Sequence, residues 1–460
     1  MFGRRLAILL GILGLLAVPA GALRAACAAR SCRSEPGPAR VPFCPLPPAL
    51  RADLAAGFRE GRSPDVLAVT SGPSIRGGTG RDGGSPTWPS ASRRPDTAVP
   101  IVFAGTGVDA AAAVPAGTGL DQIAPTLADV IGFRRPHPEV RAGEAVSGLA
   151  DGLRPRLILE VAWKGIGTAD LRAQSGTWPY LASLLRTGAG TLEGTTGSLP
   201  LDPAATLTTI GTGGPPSQHG ITGTLVRNDR GDVVTAWGPG SPPSVIATLP
   251  DDLDEHAHQA SLVGLVATET ADRGIVGGTW YLGHDRDALA FATGDAAVAR
   301  VSRMLGSGFG RDGVPDVLAV VLDGSVRSMD RRTRLIVRAA RTASSGSVAI
   351  AVAGTGSTGA ALGTGTAAAA GMTLGAGEPA VIEVPTADVV ADVEAAVPGS
   401  RRVVAGVVPG GLFLDQDALA SLGITGQVVA QALLDADAPD GSPLFADAFQ
   451  GFAVSFARYC

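Results

Sequence analysis

Four short, nearly unbroken apolar runs set the frame of this chain: Leu157–Ala162 (LILEVA), Leu262–Thr268 (LVGLVAT), Val317–Leu322 (VLAVVL) and Val348–Ala353 (VAIAVA). A strand with one wet face alternates apolar and polar positions. These runs do not alternate, so both faces are covered, as in a mostly parallel sheet between helices. Upstream, Asp65–Thr70 (DVLAVT) and Ala98–Ala104 (AVPIVFA) predict two further strands. Leu120–Gly132 has helical spacing and closes on a glycine stop, and Tyr180–Arg186 reads as another helix. Ser71–Pro95, rich in Gly, Ser, Pro and Arg, predicts a long loop, and residues 33–50 are Pro-rich and extended. Residues 376–460 read differently: a strand at Ala380–Val384, a helix near Ala387–Ala396, two strands around Arg402–Leu414, a helix at Ala418–Leu434 and a last strand at Phe452–Phe456. That is the β-α-β-β-α-β order of a ferredoxin-like unit. The expected fold class is α/β, a mostly parallel sheet with helices on both faces, plus a small C-terminal α+β ferredoxin-like unit. Its expected parts are 1–26, 27–62, 63–150, 156–375 and 376–460.

Composition narrows the setting. Charged residues are 17% of 460, below the roughly 25% of soluble proteins, yet no internal apolar run is long enough to span a bilayer. A net charge of −5 argues against a nucleic-acid partner, which needs a basic surface. The basic side chains are arginines with one exception, Lys164. Met1–Arg5 is basic, Leu6–Val18 apolar, and Ala20-Gly21-Ala22 small, the three parts of a secretory signal. The segment also fits an uncleaved N-terminal membrane anchor. Either way, an extracytoplasmic location is expected, where the four cysteines can oxidise. Cys27, Cys32, Cys44 and Cys460 allow three pairings. Cys27–Cys32 with Cys44–Cys460 is favoured, because the second bond staples the two ends of the mature chain; zinc is the alternative, with spacings that fit no zinc motif. The first 26 residues are therefore taken as signal or anchor, and 27–62 as a Cys/Pro-rich segment.

Residues 204–223, AATLTTIGTGGPPSQHGITG, carry the most specific pattern. The form T-x-x-x-T-G-x-x-P-x-x-H-G-I-x-G resembles the segment after the nucleophile in the alkaline phosphatase superfamily, especially its phosphodiesterase and nucleotide-pyrophosphatase branches. Gly84-Ser85-Pro86, Asp96–Gly105 and the helix Asp121–Gly132 resemble that family's C-terminal block, yet they stand first here. Residues 63–150 are thus similar to the family's C-terminal block and 156–375 to its N-terminal block. This order implies a circular permutation joined near Gly148–Arg156, which is tolerable where termini lie close together at the surface.

The resemblance also implies which positions should carry chemistry. Two-metal phosphoryl transfer needs Asp and His side chains around two cations. The family's first metal Asp falls on Lys164, its D-H-G on Ala353-Gly354-Thr355-Gly356, its other two histidines on Gly83 and Ala98, and its D-x-x-x-H pair on Asp323 and Arg327. The nucleophile position falls on Asp202 or Pro203. Lys164 puts an ammonium where the family puts a dication, able to neutralise Asp202 or Asp323 or to hold an anion. Asp202 and Thr206 are the weak catalytic candidates; Thr206, Thr208 and Thr209 also suit an N-cap, and His219 a packed turn. Asp323 and Arg327 lie past a strand end, where open α/β sheets bind ligands, or else pair with each other. Lys164, Asp323 and Arg327 are the expected ligand-binding set. Asp254, His256 and His258 form the heart of an acidic H-x-H cluster that suits either a weak metal site or a solvated helix face. The glycine runs Gly77–Gly84 and Gly354–Gly363 lack a phosphate-loop lysine.

The expectation is an exported pseudoenzyme that binds an anionic small molecule or an envelope protein and needs no cofactor. The alternatives are an active phosphoester hydrolase with a rebuilt site and two divalent ions (Zn or Mn), or a structural component of envelope assembly.

Overall fold

The computed structural model describes residues 43–70, 91–92, 97–278, 280–281, 287–357, 380–382, 403–408, 411–434 and 445–460. The signal or anchor segment, Cys27, Cys32, Gly77–Gly84 with Ser85, Asp96 and the helix expected near Ala387–Ala396 lie outside the described residues. The first part of the chain contains α1 (Pro48–Gly57), β1 (Val66–Thr70), β2 (Ala91–Ser92), β3 (Ala98–Gly105), α2 (Ile123–Val130), β4 (Leu157–Trp163), α3 (Thr168–Ala173), α4 (Pro179–Thr187) and β5 (Ala189–Thr195). Then come α5 (Pro203–Thr212), α6 (Pro216–His219), β6 (Leu225–Arg227), β7 (Val233–Thr235), α7 (Leu249–His256), β8 (Val263–Ala267), β9 (Ala288–Phe291) and α8 (Gly294–Gly306). The last are β10 (Asp316–Leu322), α9 (Val326–Ala343), β11 (Val348–Gly354), β12 (Ala380–Ile382), β13 (Val404–Val408), β14 (Gly411–Leu414), α10 (Gln416–Leu422), α11 (Gly426–Leu434) and β15 (Phe445–Gln450).

The apolar runs become the main sheet, in the order β5-β3-β11-β4-β10-β8-β9. Strands β11, β4, β10, β8 and β9 are parallel, and β3 runs antiparallel to both β11 and β5. The fold is therefore α/β with a large mixed, mostly parallel sheet. Every residue of β10 is buried, and its side chains alternate between two cores. Val317, Ala319 and Val321 face α2, α5 and α7; Leu318, Val320 and Leu322 face α3, α4, α8 and α9. Each Val or Leu so buried contributes roughly 1.5–3 kcal/mol before chain entropy is counted.

Strand β3, far upstream of its neighbours, sits between β5 and β11 and completes this sheet. The segment that follows is bolted on by two arginines. Arg135 donates to Asp252 Oδ2 (2.9 Å), Thr212 O (2.8 Å) and Ala247 O (3.0 Å), and Arg141 donates to the same carboxylate oxygen (3.0 Å) and to Thr212 O (3.1 Å). Burial lowers the Arg135 pKa to about 10 although Asp252 works against it.

The second sheet departs from expectation. Strand β1, expected as a strand of the upstream block, is the centre of this smaller sheet. It pairs antiparallel with β15 along one edge and with β14 and β12 along the other. The sheet is thus not built from residues 376–460 alone. The last strand is β15, and the Phe452–Phe456 run forms part of a 3-10 helix, Gly451–Tyr459. Its phase is helical: Val454 is buried, while the Phe452 and Phe456 rings meet outside at 6.3 Å. The single helix expected at Ala418–Leu434 is two helices at 90°, because Gly423 takes φ 66° and ends the first. Their Leu419, Val429, Ala430 and Leu433 pack on the small sheet. Among the described residues no single helix is long and apolar enough to cross a membrane.

Cys44 and Cys460 are joined by a disulfide with a Cα–Cα distance of 5.1 Å. Next to it, Phe43 packs edge-on against Phe449 of β15, and its N–H donates to Asp447 (2.8 Å). The core beneath holds Leu50 and Leu54 of α1 together with Leu199 and Leu201, which lead directly into α5.

Candidate functional site

In an open α/β sheet, ligands bind beyond the carboxyl ends of the strands where the strand order reverses. Here that place is β4, since β10 lies on one side of it and the next strand in sequence, β11, lies on the other. The loops at this edge are stitched together by backbone bonds. Lys164 N–H donates to Leu322 O (2.9 Å), Thr355 N–H to Trp163 O (3.2 Å) and Gly356 N–H to Ile166 O (3.1 Å). The Thr355 hydroxyl accepts from Gly165 N–H at 2.8 Å.

Lys164 leaves β4 into this edge, and its ammonium is fully engaged. It donates to Asp272 Oδ1 (2.7 Å), Thr268 Oγ1 (3.2 Å) and Glu269 Oε1. Burial opposes its charge, but Asp272 and Glu269 outweigh that and hold its pKa above the ordinary lysine value. Asp272 is completely buried, and its other oxygen accepts from Thr268 N–H (3.0 Å), Glu269 N–H (3.1 Å) and the Thr268 hydroxyl. The 270–275 segment reaches this position because it lies almost on α5. A Cβ on Gly211 would stand 2.5 Å from Gly274 O, and one on Gly274 would stand 1.9 Å from Thr208 Oγ1. Glycine is required on both sides of that contact.

The start of α5 is equally satisfied. Asp202 precedes Pro203 and caps the helix, accepting from Ala204 N–H (2.8 Å). It also accepts from Thr224 N–H (2.7 Å) and the Thr224 hydroxyl (3.0 Å). Burial raises its pKa overall; those donors and the charge of Lys164 pull the other way. The threonines expected as caps lie inside the helix because Asp202 takes the cap position. Thr206 donates to Asp202 O (3.2 Å) and Pro203 O (3.1 Å), Thr208 to Ala204 O (2.7 Å) and Thr209 to Ala205 O (3.1 Å). Buried His219 accepts from Ile221 N–H through Nδ1 (3.1 Å) and meets Thr209 Oγ1 through Nε2 (3.1 Å), so the neutral Nε2–H form fits its partners. Burial pushes its pKa down to about 3.

The remaining candidates scatter. Lys164 makes no ion pair with Asp202 or Asp323; its partners are Asp272 and Glu269, on the loop after β8. Asp323 is half-buried, its carboxylate has no partner among the described residues, and its backbone carbonyl accepts from Arg332 (3.1 Å). Arg327 does not pair with Asp323. It is the second residue of α9 and lines a separate pocket with Tyr180, Arg331 and Arg334. Asp254 and His256 lie on α7, with His258 beyond its end; the His256 ring packs on Phe133 at 5.0 Å. Among the described residues no three His, Cys, Asp or Glu side chains gather as a metal site.

The donor set at the sheet edge does not fit two divalent cations. Where the sequence resemblance would put a metal-binding aspartate there is an ammonium, and the buried carboxylate opposite is taken by that ammonium and by local N–H and O–H donors. Thr268, Glu269 and Asp272 were not among the sequence candidates. The sequence signal for them was slight: a T-E-x-x-D run directly after an apolar strand, opposite the only lysine.

No protein-family model matches the chain, and no curated protein matches it. Among solved structures it is similar to phosphonoacetate hydrolase from Sinorhizobium meliloti 1021, solved in complex with phosphonoacetate. The TM-score is 0.28 and the identity 17%, over 43% of this chain and 55% of that one. The chain thus spans about half of that protein, and the likeness is compatible with the sequence resemblance without adding weight to it.

Proposed function

We propose that this chain is an exported, circularly permuted protein of alkaline phosphatase-like fold that no longer performs phosphoryl transfer and acts by binding an anionic ligand or an envelope partner. One observation carries the reading: at the strand edge, the Lys164 ammonium is held by Asp272, Glu269 and Thr268. In two-metal chemistry that edge must supply free carboxylates and an exposed nucleophile. Asp202, one of the two residues on which the resemblance puts the nucleophile, is 2% exposed and its oxygens accept three hydrogen bonds, so an attack would first break the cap of α5.

A second reading, a phosphodiesterase with a rebuilt site, draws its support from Asp323, whose carboxylate has no partner among the described residues. The two readings separate in one assay. Purified protein supplied with Zn²⁺ or Mn²⁺ is expected to leave bis(4-nitrophenyl) phosphate intact while being thermally stabilised by phosphate or sulfate. Turnover that disappears in Asp323→Asn would establish the rebuilt site instead.

A further inference from the structure

Helix α9 carries arginines at 327, 331, 334, 338 and 341, a spacing of four and three residues that places them on one face. All five are exposed, while Met329, Thr333, Ile336, Val337 and Ala340 face the sheet. At 1.5 Å per residue the stripe runs about 21 Å. Arg332 adds a sixth guanidinium group, and of the described carboxylates nearby, Asp330 and Asp295 are engaged while Asp323 lies just before the helix. Asp330 is turned inward and caps α4, accepting from the N–H groups of Tyr180 (3.1 Å) and Leu181 (2.8 Å). Asp295 pairs with Arg331 (2.6 Å) and Arg332 (3.1 Å) in an exposed contact of the kind that solvent screens and that exchanges readily. Arg327 and Arg334 make no ion pair or hydrogen bond with the described residues.

These two arginines and Arg331 wall an open pocket of about 400 Å³ between α9 and the first turns of α4, opposite Tyr180 and Ser183; Asp330 also lines it, its carboxylate turned onto the Tyr180 and Leu181 N–H groups. A volume of this size suits a small molecule. Guanidinium forks match the oxygens of a phosphate group two at a time, which an ammonium cannot do. We propose that this pocket binds a compact phosphate-bearing anion, either a soluble phosphate ester or the headgroup of a lipid, through Arg327 and Arg334 with Arg331 released from Asp295. The pocket lies in the helical layer, apart from the Lys164 cluster, so it stands whether or not the sheet edge hydrolyses anything.

The test uses the full-length protein and inorganic pyrophosphate as the probe, followed by calorimetry. Binding is expected to be saturable and to weaken with added salt. Arg327→Gln/Arg334→Gln should weaken it at least about tenfold, the equivalent of about 1.4 kcal/mol. Arg338→Gln, outside the pocket, should stay within about threefold of the wild type, and Arg327→Lys/Arg334→Lys should fall between it and Arg327→Gln/Arg334→Gln. The altered side chains are exposed, so Tm without ligand should not move. Co-sedimentation with phosphatidylglycerol vesicles, against phosphatidylcholine vesicles, identifies the source: pyrophosphate binding alone means a soluble ester, and vesicle binding lost in the pocket variant means a headgroup. If neither probe binds, or if the pocket variant binds like the wild type, the proposal is overturned.

Discussion

Glu160 stands in the middle of β4, the central strand of the main sheet, and is 2% exposed. Alternation along the strand points it, with Ile158 and Ala162, into the core shared with α2, α5 and α7. Its Oε2 has no hydrogen-bond partner among the described residues. Burial raises its pKa from 4.5 to about 8, opposed only by the charge of Arg135. The native state therefore holds a proton that the unfolded chain releases above pH 4.5. Stability from this group is complete below that pH and is lost as pH rises toward 8, at up to 1.36 kcal/mol per pH unit. Between pH 5 and pH 8 the loss is about 3–4 kcal/mol. Glu160→Gln removes the titration and keeps the shape. Urea unfolding of both proteins at pH 5, 6, 7 and 8 should show the wild type falling relative to the variant by that amount. Near pH 5 the two should be close, or the variant slightly weaker, since its buried amide lacks partners. Parallel profiles across this range would mean that Glu160 is not protonated in the native state.

Four further predictions concern the sheet edge, the helix start, the buried histidine and the disulfide. Lys164→Met should cost about 3 kcal/mol by stranding Asp272, and Lys164→Met/Asp272→Asn should cost less than the sum of the single changes; additive losses in urea unfolding would speak against the ion pair. Asp202→Ala should destabilise by about 1–3 kcal/mol through loss of the α5 cap and the bonds to Thr224, read as a lower urea midpoint, and an unchanged midpoint would refute the cap. His219, with its pKa down at about 3 against an ordinary 6.5, supports stability above pH 6.5 and withdraws it on acidification toward pH 3. His219→Gln should therefore flatten the acid limb of the stability profile, whereas an unaltered limb would mean another group sets it. Reduction of Cys44–Cys460, or Cys44→Ser, should lower stability by about 2–5 kcal/mol, and equal Tm values with and without reductant would contradict a bond that constrains the unfolded chain.

The main sheet was legible because buried parallel strands advertise themselves: LILEVA, VLAVVL and VAIAVA have no wet face to interrupt them. The placement of β1 was not, since DVLAVT carries the same local signal and its partners lie more than 300 residues away. FADAFQ gave a weak strand signal because Asp447 interrupts it, and that aspartate serves Phe43 at the other end of the chain. The strand-end position of Lys164 could be read from the sequence. Its partners could not, because Asp272 reaches it through a contact of α5 with the 270–275 segment that only Gly211 and Gly274 permit. The arginine spacing on α9 was visible all along; what was missing was the neighbour, α4, that turns one end of the stripe into a pocket.

The proposed function rests on the Lys164 cluster standing, at the carboxyl edge of the main sheet, where the sequence resemblance would put a two-metal site. Calorimetric titration of chelator-treated protein with Zn²⁺, repeated on Asp272→Asn and Asp323→Asn, tests it most directly. The account predicts no saturable binding that either substitution alters. Two equivalents of zinc bound tightly, and lost when either carboxylate is neutralised, would contradict it.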